Sequence, residues 1–121
     1  MGIQSIDLKR GLINVLEEEG VSIPVEEGVL IVNVLSGSPA DEAGLRGGTR
    51  QLRMGNFQLP VGGDIIVAID GEDVLNYKEL VVYLETQTEI GDTIEITYYR
   101  DGEEQTTDLT VGKRPEGSGR Q

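Results

Sequence analysis

The residue types that usually carry covalent chemistry are missing from this chain. Among its 121 residues there is no His and no Cys. A Ser-His-Asp or Cys-His nucleophile therefore cannot be assembled within it. The common zinc sites lose both their imidazole and their thiolate ligands. Without cysteine no disulfide forms, which leaves the redox compartment open. What remains is carboxylate and glycine chemistry, and its motifs are weak. The stretch "DGEDVLNYKE" fails the calcium-loop pattern because Val74 occupies a ligand position. Gly112-Lys113 lacks both a preceding phosphate loop and a following Ser or Thr. Glu103 and Glu104 are neighbours on a hairpin arm, so they face opposite ways and read as solvated charges. In "GGDIIVAIDGEDV", Asp64 follows Gly62-Gly63 and precedes the most apolar short run. That spacing suits a carboxylate fixing a sharp turn through nearby backbone amides. No catalytic residue, cofactor or metal is expected.

Charge narrows the partners. The chain carries 22 acidic and 10 basic residues, a net charge of −12. Repulsion at that level argues against nucleic acid and anionic membranes, and disfavours acidic peptides at low salt. No apolar stretch approaches the ~20 residues of a membrane span, and no basic-then-apolar leader opens the chain. Met1-Gly2-Ile3 runs straight into sequence of structured character, the expectation for an excised fragment. "EGSGRQ", from Glu116 to Gln121, reads as a flexible linker or tail.

The elements that must position any site follow from periodicity. Gly2–Leu8 is extended in character. Leu12, Val15 and Leu16 share one helical face, with Gly20 as a stop. Gly28–Leu35 is a β-branched run, a buried strand. Ser38 caps and Pro39 opens a helix of little more than one turn, ending at Gly44. "RGGTRQLRMGNFQLPVGG" reads as a long, locally basic loop with a small hairpin near Gly55-Asn56. Ile65–Ile69 is a strand, Asp70-Gly71 a tight turn, and Glu72–Leu75 a short return. Asn76 caps a helix over 77–85, with Glu79 three residues on. The chain closes in a hairpin that turns at Asp101-Gly102, with Ile94, Ile96 and Tyr98 on one face. Strands dominate, so the class is α+β: a small, partly open, mostly antiparallel β-barrel or sandwich capped by two helices.

The order of "GVLIVNVLSGSPADEAGL", "GGDIIVAIDGEDVLNYKELVVYL" and the final hairpin resembles the PDZ domains of HtrA/Deg-type, trypsin-like serine proteases. "VGKRP" is similar to the family's exit from its last strand, and "GIQSIDL" to the strand that follows its protease domain. The resemblance covers about 110 residues (1–114 as the domain, 115–121 as a tail) and implies the permuted PDZ order of those proteases. It departs from the family at 46–63, an insertion between "AGL" and "GD" that carries Arg46, Arg50 and Arg53. By their local charge those arginines are candidate contacts with a parent protease domain or a neighbouring molecule.

The resemblance implies a peptide-binding regulatory or substrate-recognition module. Met1, Gly2 and Ile3 would form the carboxylate-binding loop, where backbone amides receive a peptide terminus without a charged side chain. Gln4, Ser5 and Ile6 would pair with the guest backbone. Tyr77, Val81 and Leu84 would form the opposite wall. Val81, Leu84 and Ile3 also fit ordinary core positions, and Tyr77 fits solvated surface. The implied partners are C-terminal or extended hydrophobic peptides and a parent protease domain. The parent would be extracytoplasmic: periplasmic or membrane-anchored in a bacterium. The competing readings are an oligomer-assembly or intramolecular docking module without free-peptide binding, and an enzyme in its own right, which the missing His and Cys oppose.

Overall fold

A computed structural model describes residues 2–21, 23–54 and 56–112. In chain order the elements are β1 (Ile3–Leu8), α1 (Arg10–Glu18), β2 (Gly28–Val34), α2 (Pro39–Glu42), β3 (Arg50–Met54) and β4 (Phe57–Val61). They continue with β5 (Ile65–Ile69), β6 (Glu72–Asp73), α3 (Tyr77–Gln87), β7 (Thr93–Arg100) and β8 (Glu103–Thr110). One sheet runs β1-β2-β5-β7-β8 with β6 paired to β5, and β3-β4 form a separate ribbon. Every pairing is antiparallel. Helices cap both faces of the sheet, so the α+β class stands.

Strand β5 is the central strand, and its apolar run serves both faces. Ile66 and Ile69 join one buried cluster with Val29, Ile31, Leu80 and Ile96. Ile65 joins a second with Leu8, Leu16, Leu30 and Val61. A sheet covered on both sides needs unbroken hydrophobic strands, and "GVLIV" and "IIVAI" supply them. Ile94, Ile96 and Tyr98 of β7 are buried as their alternation predicts.

Gly62-Gly63-Asp64 is tighter than a simple turn. A Cβ on Gly63 would overlap the Ile31 carbonyl oxygen and lie 2.8 Å from the Gly47 carbonyl carbon. Only glycine lets these backbones pass so closely. Asp64 is 1% exposed. It accepts the Arg46 N–H at 2.9 Å and the Arg100 guanidinium at 2.8 and 2.7 Å, a fork on a fork. Arg100 also donates to the Gly44 carbonyl at 2.8 Å. The bond to Asp64 is the main cause that raises the Arg100 pKa above its ordinary value. The turn residue is thus also the hub joining the end of α2, the start of β5 and the end of β7.

Two expectations change. In α1 the buried residues are Ile13 and Leu16, whereas Val15 is 40% exposed. Ile13 and Leu16 are three apart and face the sheet together, and Leu12 only borders that cluster. The 46–63 segment is more regular than a long loop: the hairpin expected near Gly55-Asn56 has arms of five residues each, β3 and β4, paired from Arg50 opposite Val61 to Met54 opposite Phe57. Val61 is fully buried, and Leu52 and Leu59 pack on the second cluster. The Gly48 N–H donates to the Val32 carbonyl at 3.0 Å, tying the hairpin base to β2.

Candidate functional site: an open strand edge beside a helix

Strand β1 pairs with β2 on one side, and among the described residues no strand pairs with its other side. The Leu35 N–H donates to the Gly2 carbonyl at 2.8 Å, and Ile3 stands opposite Val34. In an antiparallel ladder such a bond brackets a non-bonded pair, so the Ile3 N–H and C=O point away from β2. The register shift between Gln4 and Ser5 falls where β2 skips Val32, so alternation along β1 continues. Ser5 and Asp7 therefore offer their main-chain groups to the same open edge. This edge is three residues long and runs beside α3.

Gly2 fixes where the edge begins. Its φ is +88°, and a Cβ there would overlap the Ser38 side chain. Ser38 is held in turn: its hydroxyl donates to the Leu35 carbonyl at 2.7 Å and accepts the Asp41 N–H at 3.2 Å as the cap of α2. The one-turn helix thereby buttresses the start of β1.

Helix α3 forms the other wall. Asn76 caps it, accepting the Glu79 N–H at 2.9 Å. Glu79 accepts the Leu75 N–H at 2.9 Å rather than that of the cap itself. Two aspartates then hold the helix. Asp7 of β1 accepts the Tyr77 N–H at 2.8 Å, bridging strand and helix. Asp70 accepts the Tyr83 hydroxyl at 2.8 Å and the Glu95 N–H at 2.7 Å. The bond to Asp70 is the main cause that raises the Tyr83 pKa. Ile3, Gln4, Ser5, Asp7 and Tyr77 line one open cleft between strand and helix.

Of the residues read from sequence as site candidates, Ile3, Gln4, Ser5 and Tyr77 meet in this cleft. Ile3 is half-buried and Leu84 partly buried, both against the main cluster, so each also serves the core. Val81 is half-buried and borders neither cluster. The Ile6 side chain packs on the second cluster, on the far face of the sheet, so it presents only backbone to this side. Met1 lies outside the described residues. The sequence reading missed Asp7. Counting by twos from Ile3 and Ser5 along the strand finds it.

The arrangement suits main-chain recognition: an unpaired strand edge, a glycine start and a partly apolar wall. Comparison with known proteins gives the family. The family described as PDZ domain matches residues 1–111. The Serine protease Do-like HtrA of Lactococcus lactis subsp. lactis (strain IL1403) is 30% identical over 113 residues, 93% of this chain and 24% of that protein. The Probable periplasmic serine endoprotease DegP-like of Marinomonas sp. (strain MWYL1) is 32% identical over 97 residues, 80% of this chain and 17% of that protein. The chain thus spans a quarter or less of the length of these curated relatives. Among solved structures, the HtrA3 PDZ domain bound to a phage-derived ligand (FGRWV) superposes with a TM-score of 0.65 at 19% identity, over 100% of this chain and 92% of that one. The chain belongs to the PDZ domain family, and its likeness is to the PDZ domains of HtrA/DegP serine proteases.

Proposed function

We propose that this domain captures hydrophobic peptide ends by adding them as a strand to β1, and so serves as a substrate-recognition or regulatory module of an HtrA-like serine protease. The observation that carries the reading is the free edge of Ile3, Ser5 and Asp7 facing the α3 wall. In the proposed complex the peptide carboxylate sits at the Gly2-Ile3 amides, and its backbone runs antiparallel to β1. Its last apolar side chain lies over Ile3 toward Val81 and Leu84. Full burial there stabilises by ~1.5–3 kcal/mol, before ordering costs reduce the net affinity. The domain supplies recognition only; bond cleavage belongs to the parent protease domain, which the same proposal places outside the cytoplasm. The domain comprises 1–114 with 115–121 as a tail, and Arg46, Arg50 and Arg53 of the 46–63 segment contact the protease body or a neighbour.

The test is a titration of the domain with a hydrophobic-tailed peptide as free acid and as C-terminal amide, followed by amide NMR. The expected result is shifts at Gly2–Asp7 and Tyr77, with clearly weaker binding of the amide. Equal affinity of the two forms removes the carboxylate mechanism; shifts confined to other surfaces remove the groove.

A further inference from the structure

Asp7 lies at the end of the cleft away from Gly2, and its chemistry differs from everything else that lines it. Ile3 is apolar, Ser5, Gln4 and Tyr77 are neutral, and Asp7 carries the only formal charge among the lining residues. One of its oxygens, Oδ1, accepts the Tyr77 N–H. The other, Oδ2, has no hydrogen-bond or ion-pair partner among the described residues, and Asp7 lines the open cleft. Tyr77 is 44% exposed and lines the same cleft.

The register of an added strand says which guest residue arrives there. This step rests on the proposed capture reading. With the peptide's last residue opposite Ile3, each step back along the guest advances one residue along β1: Gln4, Ser5, Ile6, Asp7. The fifth residue from the carboxyl end therefore stands opposite Asp7. Directly opposed residues of an antiparallel pair project to the same face. Asp7 projects toward α3, so the fifth guest side chain does too, into contact with the free carboxylate oxygen and the Tyr77 ring. The fourth projects to the other face, with Ile6.

We infer that Asp7 makes this groove selective for peptides with a basic residue five positions from a hydrophobic carboxyl terminus. A lysine or arginine there meets a carboxylate already held in place by α3, together with an aromatic face that attracts cations. A glutamate there meets like charge. Because the Tyr77 bond holds Asp7 still, its side chain gives up little freedom when the guest arrives.

The experiment uses acetylated seven-residue peptides ending in valine with a free carboxylate, carrying Lys, Ala or Glu at the fifth position from the end. A control carries Lys at the fourth. Each is titrated against the wild-type domain and against Asp7→Asn, which keeps the oxygen that accepts the Tyr77 N–H and loses the charge. At about 50 mM salt, where the Debye length exceeds 10 Å, Lys at the fifth position should bind about threefold tighter than Ala, and Glu about threefold weaker. The spread should narrow at high salt and collapse in Asp7→Asn. The fourth-position Lys should gain only the smaller, unspecific attraction of a chain with net charge −12. Equal affinities of the three peptides, a spread that survives in Asp7→Asn, or an equal gain from Lys at the fourth position overturns the inference and leaves the capture reading standing. If none of the peptides binds, the capture reading falls and this inference with it.

Discussion

Single residues here act through backbone geometry more than through side-chain chemistry. Gly2 shows why. Its left-handed φ of +88° costs an L-residue about 1–2 kcal/mol, and the Ser38 side chain occupies the place of its Cβ. Replacing Gly2 by Ala should therefore push the 2–3 segment away from α2 and misplace the first guest-binding amides. We expect at least ~1 kcal/mol of lost stability by urea unfolding, with weaker binding of free-acid peptide. A variant that unfolds and binds like wild type would show that the strand start is not set by this contact. Ser5 and Asp7 contribute main-chain groups to the same edge, and Asp7 adds the one charge. Composition therefore carries little information about the site: the recognition atoms are amides and carbonyls, which every residue has.

At the level of elements, the 46–63 hairpin shows how a segment that looks dispensable is tied into the core. Its glycines and arginines suggest a solvent loop, but β4 ends in Val61, which is fully buried beside Leu8, Leu30 and Ile65. Replacing Val61 by Ala should cost about 2 kcal/mol by denaturant melting. A truly peripheral loop would give a change within ±0.5 kcal/mol. The capped helices contrast with this. Ser38 and Asn76 were readable as caps because a cap needs only the right side chain three residues before a free amide, and both make that bond. In α1 the apolar residues gave the helix but not the centre of its inward side, since Leu12, Ile13, Val15 and Leu16 fan over about 160° of the helix circumference. Only the position of the sheet selects Ile13 and Leu16.

For the whole molecule, the Asp64–Arg100 pair is the junction that matters most. Its carboxylate is 1% exposed and its guanidinium side chain 19%. Removing one partner strands the other in a poorly solvated site and leaves the Arg46 N–H without its acceptor. For Asp64→Ala we expect a loss of roughly 3–5 kcal/mol, a large share of the 5–15 kcal/mol typical of a domain, read as a fall in the denaturant midpoint. Retention of wild-type stability would mean that water replaces the carboxylate there. Because this junction joins α2 to β5 and β7, and α2 buttresses Gly2, its loss should also loosen the start of the groove strand.

Local pattern alone determined much of this protein. The β-branched runs, the two caps, the Asp-Gly turns with positive φ at Asp70 and Asp101, and the order of elements were all legible, because each depends on residues close in sequence. The missing His and Cys ruled out the common nucleophilic mechanisms from composition alone. Tertiary structure decided the rest. The Asp64–Arg100 pair spans 36 positions and the Asp7–Tyr77 bond spans 70, and no periodicity links residues so far apart. The face on which Ile3, Ile6, Val81 and Leu84 lie, and the freedom of β1 on its outer side, depend on which strand pairs with β1 and on what packs against each face of the sheet. That is a matter of long-range packing, settled only when the chain closes on itself.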